Sequence, residues 1–385
     1  MALELTQEQK DAGWQVKQIR EIATVVTGGT PSKNNPEYWG DSTPFLTPSD
    51  QVFGVRQAVT SRFLSVEGRE SFSRRVVDSG AIAITCIGAT IGKVSYIQVP
   101  TVTNQQINSL AADEKQAHGL YLYYLFTTLP EELYAIASGS ATPIVSKSVL
   151  ENFEVAIPSY ADQKRIAEIL GSVDDKIEAN SRLIQNLEEL ANLTFDRYLE
   201  DLSEVLEDTT YGSLNFFGGG TPNTKTPDYW DGEVNWVTPT DVTSLKSHTL
   251  FESSRKITEA GLAACSSKLH PAGSIMMTSR ATIGRFAVNQ VPVATNQGFI
   301  VVQPANEYER WWIYHSMKKD VELFLLLANG ATFLELSRRV FKDIPLKMFR
   351  GETELPAIHN QIIALEAENK GLIETRDLLI PHLIG

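Results

Sequence analysis

The chain of 385 residues repeats itself once at an offset near 191, and this duplication restricts its possible folds more than any other feature. Gly28-Gly29-Thr30-Pro31 returns as Gly219-Gly220-Thr221-Pro222, and Pro36-Glu37-Tyr38-Trp39 as Pro227-Asp228-Tyr229-Trp230. Thr47-Pro48-Ser49-Asp50 returns as Thr238-Pro239-Thr240-Asp241, and Ala89-Thr90-Ile91-Gly92-Lys93 as Ala281-Thr282-Ile283-Gly284-Arg285. Thr103-Asn104-Gln105 matches Thr295-Asn296-Gln297, and Ala141-Thr142 matches Ala331-Thr332. The order is kept and the spacing drifts by only a few residues. A period this long means two duplicated domains, not a solenoid of short units.

Each copy ends in a long helical stripe. Ile166, Leu170, Val173, Ile177, Ile184 and Leu187 recur in steps of four and three, with Asn180 in the same row. Ile358, Ile362, Leu365, Asn369, Leu372, Arg376 and Leu379 form a shorter second row. Such rows are heptad-like seams that require a partner. About 40 residues of helix would span roughly 60 Å. The two rows are expected to pair, with Asn180 and Asn369 fixing register and Ile177, Ile184, Leu365 and Leu372 forming the seam or docking other subunits. Within the copies, 81–85 and 274–278 read as short buried strands, and 120–128 and 311–327 as helices. The expected fold class is mixed α/β (α+β), with duplicated domains separated by two long antiparallel coiled-coil helices. The boundaries are 1–158 for the first domain, 159–207 for the central helix, 208–350 for the second domain and 351–385 for the distal helix.

A net charge of −13 argues at first sight against a nucleic-acid ligand, but almost all of it falls on 160–210 and 351–385. Acidic rods and near-neutral heads suggest that the rods face protein and the heads face something else. Apolar runs stay short of the ~18 residues of a membrane span. The N-terminal stretch has neither the basic region nor the apolar core of a secretory signal. Cys86 and Cys265 stand far apart with no metal-ligand spacing around them. A cytoplasmic, reduced protein with no membrane contact is the expectation.

Several fragments imitate catalytic motifs and fail. Gly88 to Lys93 resembles a phosphate loop, but its glycines stand one residue too close, and Val94 occupies the place of the magnesium-binding hydroxyl. Asn35-Pro36-Glu37-Tyr38 and Phe216-Phe217-Gly218-Gly219-Gly220 resemble the signatures of an adenine methyltransferase, but they lie in opposite copies and in the wrong order. No catalytic residue and no metal ligand emerges. The repeated polar turns suit binding instead. Thr30, Ser32 and Lys33, with Thr221, Asn223 and Lys225, place hydroxyl, amide and ammonium groups beside backbone N–H groups, as phosphate oxygens require. Lys93 and Arg285 hold equivalent places and join this backbone-binding set. The segments that diverge most between the copies contain Arg56, Gln57, Arg62, Arg69, Arg74 and Arg75 in the first, and Lys246, His248, Arg255, Lys256 and Lys268 in the second. Arg280 replaces Ile87. Arg and Lys recognise guanine edges, and Gln adenine, in the major groove. The expected base-reading set is Arg56, Gln57, Arg62, Arg74, Arg75, Lys246, His248, Arg255, Lys256 and Arg280.

Taken in this order, the parts resemble the specificity (S) subunit of Type I restriction–modification systems. The likeness rests on Thr27 to Ser32 with Tyr38-Trp39, on Gly219 to Pro222 with Tyr229-Trp230, and on the Thr-Asn-Gln tripeptides. The runs from Gln163 to Ile184 and from Gln361 to Ile373 complete it. The resemblance implies two target-recognition domains, each reading one half of a bipartite, asymmetric site in double-stranded DNA. It implies that the helices set the spacer and dock two modification (M) subunits, which carry S-adenosylmethionine and methylate adenine. Restriction (R) subunits would join through M and bring ATP, Mg2+, translocation and cleavage. The chain itself would be non-catalytic and hold no cofactor. Segment 1–20 would complete the short distal end of the rod. An S-like subunit of a Type IIB-like enzyme, a coiled-coil scaffold without DNA, and a stand-alone methyltransferase are the competing readings.

Overall fold

A computed structural model describes residues 4–32, 34–139, 142–330 and 334–384. The chain forms two compact units, residues 1–178 with 371–385, and residues 179–370. Each helical half is thus grouped with the domain it packs on rather than standing as a separate body.

Unit one contains β1 (Gln15–Gln18), β2 (Ala23–Thr27), β3 (Thr43–Leu46), β4 (Phe63–Leu64), β5 (Ile82–Thr85), β6 (Val94–Tyr96), β7 (Thr101–Thr103) and β8 (Ile107–Ala112). Helix α1 (Gly119–Thr127) and β9 (Glu154–Ile157) follow, then α2 (Tyr160–Asp201), which continues into unit two. The main sheet has the order β2-β8-β5-β6, with every neighbouring pair antiparallel. Every side chain of β5 is buried, as expected of a run, Ile-Ala-Ile-Thr, covered on both faces. A smaller sheet pairs β3 with β7 in parallel and with β4 antiparallel. Tyr121, Tyr123, Tyr124 and Phe126 of α1 are fully buried against the main sheet together with Ile166 and Leu170 of α2. Segment 15–18 does not lengthen the helix pair: it pairs antiparallel with β9.

Unit two repeats the plan. It contains β10 (Glu207–Thr210), β11 (Phe216–Gly218), β12 (Trp230–Val237), β13 (Thr249–Leu250), β14 (Lys256–Ile257), β15 (Ile275–Thr278), β16 (Phe286–Asn289), β17 (Val293–Thr295) and β18 (Phe299–Val302). Helices α3 (Glu307–Lys319) and α4 (Val321–Leu327), strand β19 (Pro345–Met348) and helix α5 (Leu355–Ile384) complete the chain, with the end of α5 belonging to unit one. The sheet order β11-β18-β15-β16 matches that of unit one, with β13 added at the edge. The parallel pair β12–β17 corresponds to β3–β7, and β10–β19 to β1–β9. The helix expected over 311–327 is broken at Asp320, which accepts a hydrogen bond from the buried Tyr211 hydroxyl at 2.7 Å.

The two long helices run antiparallel. In unit two, Asn180 Nδ2 donates to Asn369 Oδ1 at 3.0 Å and to Glu368 Oε2 at 2.8 Å. Ile184 and Leu187 pack on Ile362, with Ile358 and Leu365 at the margin. Further along, Arg197 reaches Glu354 at 3.2 Å, so position rises on one helix as it falls on the other. Ile177 and Leu372 are half-buried. Among the described residues no helix is long and apolar enough to cross a membrane, and no cluster of His, Cys, Asp or Glu could hold a metal ion.

Candidate nucleic-acid interface

The Gly-Gly-Thr-Pro turns are built by the Thr-Asn-Gln tripeptides. In unit one, Gly28 lies against the Thr103–Asn104 backbone so closely that a Cβ would stand 2.0 Å from the Asn104 carbonyl oxygen. Thr30 Oγ1 donates to Gln105 Oε1 at 2.5 Å. In unit two, a Cβ on Gly219 would meet the Asn296 carbonyl oxygen at 2.0 Å, and Thr221 Oγ1 donates to Gln297 Oε1 at 2.6 Å. Two motifs about 75 residues apart in sequence are therefore one joint in space. The Thr-Pro-x-Asp motifs close on themselves: Thr47 N–H and Oγ1 donate to Asp50 Oδ2 at 2.8 and 2.7 Å in a turn, and Thr238 does the same to Asp241 at 2.7 and 2.7 Å at the start of a short helix.

This joint corrects part of the expected phosphate cradle. The Gly28 N–H donates to Ile107 O at 3.1 Å, the Gly29 N–H to Thr103 O at 2.8 Å, and the Gly220 N–H to Thr295 O at 2.9 Å. Those amides serve the fold and are not offered to a ligand. Ser32 and Asn223 are exposed and accept from the Asn34 and Lys225 amides. Lys93 is half-buried, and its ammonium is held by the Pro48 and Gln51 carbonyls at 3.2 and 2.8 Å. Lys225 and Arg285 are exposed, and Lys33 lies outside the described residues.

Three of the expected base readers face inward instead. Arg56 is 5% exposed, with Nη2 at 2.5 Å from Asp175 and Nε at 2.9 Å from Glu178, both on α2. Gln57 donates to the same Glu178. His248 is 3% exposed and sits among Trp311, Tyr314 and His359. The reason is shared: the acidic face of α2 and an aromatic pocket supply partners that a linear reading places far away. These three leave the candidate surface.

The remaining cations gather around the turns. In unit one, a cleft of about 550 Å³ is lined by Thr30, Ser71, Phe72, Ser73, Arg74 and Arg75. Arg75 Nη1 donates to the Gly28 carbonyl at 2.9 Å, which fixes it beside the turn, and Arg74 and Arg75 are exposed. In unit two, Ser266 Oγ takes that place, donating to the Gly219 carbonyl at 3.3 Å. There the positive charge lies elsewhere around the turn. A cleft of about 320 Å³ is walled by Gly219, Ser279, Arg280, Gln297, Arg338 and Arg339. Arg280 is paired with Glu335 at 2.9 Å, while Arg338 and Arg339 are exposed. Arg338 and Arg339 are absent from the sequence-based set. Aligning the copies at their own offset reveals them, since Lys147 and Ser148 stand opposite. Arg62 lies over the Trp39 ring, with Cζ 3.9 Å from its centroid, and Arg255 over Trp230 at 4.0 Å. Arg69, Lys246, Lys256 and Lys268 are exposed, and Lys268 Nζ is 4.3 Å from the Phe217 ring centroid.

Two duplicated α+β units with unlike cationic clefts, each carrying part of an antiparallel helix pair, define the class of the protein. The chain belongs to the family described as the Type I restriction modification DNA specificity domain, whose model matches residues 11–189 and 213–348. It is 34% identical over 193 residues to the Type I restriction enzyme HindI specificity subunit of Haemophilus influenzae, covering 49% of this chain and 41% of the relative. It is 35% identical over 192 residues to the MjaIX specificity subunit of Methanocaldococcus jannaschii, covering 49% of this chain and 44% of the relative. The matched part thus spans less than half the length of those relatives. The fold is similar to the crystal structure of a Type I restriction–modification S subunit from M. genitalium, with a TM-score of 0.63 at 16% identity over 100% of this chain and 98% of that one.

Proposed function

We propose that this chain is the DNA sequence-recognition subunit of a Type I restriction–modification complex, with each unit reading one half of a bipartite, asymmetric site through the major groove. The observation that carries this reading is the contrast around one joint. The scaffold of the Gly-Gly-Thr-Pro turn is the same in both units, while the charged side chains beside it differ: Arg74 and Arg75 in one, Arg280, Arg338 and Arg339 in the other. Duplicated readers of different half-sites would share their scaffold and diverge at base contacts. One reader of a few base pairs discriminates weakly, at ~1–3 kcal/mol per base pair. Joining two on a stiff helix pair makes the second contact intramolecular.

In this reading α2 and α5 hold the spacer between half-sites and dock two methyltransferase (M) subunits. The acidic helices are kept from DNA by their charge. The chain does no chemistry: S-adenosylmethionine belongs to M, and ATP and Mg2+ to restriction (R) subunits that join through M. The test is selection of bound duplexes from a randomised pool by the full chain, alone and co-expressed with its M subunits. A motif in two blocks separated by unspecified bases is expected. Recovery of no motif in either assembly overturns the reading.

A further inference from the structure

Arg62 and Arg255 are duplicated in their backbone setting as well as in their stacking. The Phe45 N–H donates to Arg62 O at 2.9 Å, and the Trp236 N–H donates to Arg255 O at 3.0 Å. Each tryptophan platform is held edge-on by a second ring: Trp39 by Phe45, with centroids 5.1 Å apart at 89°, and Trp230 by Trp236, with centroids 5.1 Å apart at 85°. Trp230 Nε1 is further fixed on Asn223 O at 3.2 Å. Each arginine emerges at the entry of the same short strand, β4 or β14. A shallow cleft of about 440 Å³ beside Arg62 is lined by Pro36, Trp39, Gly40, Ser61 and Phe63.

Like Arg69, Arg74 and Arg339, these guanidinium groups are drawn into no ion pair among the described residues. Arg56, Arg280, Arg350 and Arg376 each meet a carboxylate. Arg62 and Arg255 are exposed, and among the described residues neither guanidinium has a carboxylate or carbonyl partner. Each guanidinium lies over an indole ring, with Cζ 3.9 and 4.0 Å from the centroid, and keeps its fork of N–H groups. That fork matches two oxygens of a phosphate group, and stacking lowers the entropy lost when it binds.

Two units that read different half-sites cannot discriminate with a side chain presented identically in both. We propose that Arg62 on Trp39 and Arg255 on Trp230 form a duplicated phosphodiester clamp, one anchor per unit, gripping the DNA backbone irrespective of sequence. Discrimination then falls to the cations that differ around the turns. The proposal rests on the recognition reading above and moves Arg62 and Arg255 out of the base-reading set.

The experiment uses the full chain, in whichever assembly selects a motif, with Arg62→Gln, Arg255→Gln and Arg62→Lys. Affinity for a fluorescein-labelled duplex of scrambled sequence is measured across salt concentrations, and the selection from the randomised pool is repeated. Each Gln variant is expected to bind the scrambled duplex roughly 10- to 100-fold more weakly. The slope of log affinity against log salt should be shallower by about 1. The Lys variant should keep the slope and lose part of the affinity, and every variant should select the wild-type motif. A motif altered in either block, or an unchanged salt slope, overturns the clamp while leaving the recognition reading intact. Failure of the wild-type chain to select any motif overturns both.

Discussion

Arg376 Nη1 and Asp174 Oδ1 stand 2.8 Å apart, joining the C-terminal helix to the central one through two side chains that are 8% and 3% exposed. Asp174 Oδ2 accepts from the buried Tyr124 hydroxyl at 2.6 Å, and Arg376 also donates to the Gly54 carbonyl at 3.0 Å. Both helices and the α+β fold of unit one are thereby tied at one buried charge pair.

Breaking that pair from one side leaves a charge buried without compensation. Arg376→Ala is expected to cost about 3–5 kcal/mol, whereas Arg376→Met with Asp174→Leu, which removes both charges and strands only the Tyr124 hydroxyl, should cost about 1–3 kcal/mol. Urea unfolding followed by circular dichroism measures both. A double variant as unstable as the single one would show that the residues act through packing rather than charge.

In unit two the corresponding helix pair is tied by neutral groups and a row of histidines. His315 Nε2 lies 2.9 Å from His359 Nε2, His359 Nδ1 lies 3.2 Å from His248 Nε2, and His248 Nδ1 faces Glu188 Oε1 at 3.6 Å. Neutral rings can share one proton at each ring-to-ring contact, and an added proton would set donor against donor. Burial, reinforced by Lys318 and His248, holds His315 down at about 3. Burial likewise lowers His248, against the pull of Glu188 and Glu366, and holds His359 well below the ordinary value. These groups take up protons only on unfolding, so their contribution is whole above about pH 6.5 and declines as pH falls toward the folded values. His315 alone would cost about 2 kcal/mol at pH 5. The urea midpoint of unit two, followed by tryptophan fluorescence, should fall between pH 7 and pH 5, and His315→Phe should flatten that fall. Trp311, stacked on His359 with centroids 3.7 Å apart, is the local reporter.

The first glycine of each turn serves the joint rather than a ligand. Gly28→Ala and Gly219→Ala would drive a methyl group into backbone oxygen and should destabilise their own unit by about 1–3 kcal/mol or more. Thr30→Val removes one exposed hydrogen bond to Gln105 and should cost only about 0.5–1.5 kcal/mol. Equal melting of Gly28→Ala and wild type would contradict the packing.

What the sequence disclosed follows the range of its signals. The seam of α2 and α5 was legible because Ile184, Leu187 and Ile362 recur at helical spacing, and the duplication because whole motifs return in order. The buried strands β5 and β15 were legible as short apolar runs. What stayed hidden is contact across sequence. Arg56 has the composition of a surface cation, yet its partners Asp175 and Glu178 lie on a helix more than a hundred residues away. The glycine-rich turns suggested free amides, and only the fold shows Thr103 and Thr295 consuming them. Arg338 and Arg339 lie outside every repeated motif, and only the fold brings them to the turn, where their counterparts Lys147 and Ser148 differ in charge or size.

If the unlike cations specify the two half-sites, each must act on one half alone. Arg74→Ala should relax the selected motif in one block, and Arg339→Ala in the other, each by about 1–3 kcal/mol per affected base pair. The double variant should show the sum of the two changes, since the residues lie in different units and share no partner. Replacing residues 20–158 by the equivalent segment of another family member should likewise alter only the block that Arg74 affects. Bound-pool sequencing reads all four proteins on one scale. A change in both blocks from either single substitution would mean that the two units do not read independently, and the modular account of recognition would fail.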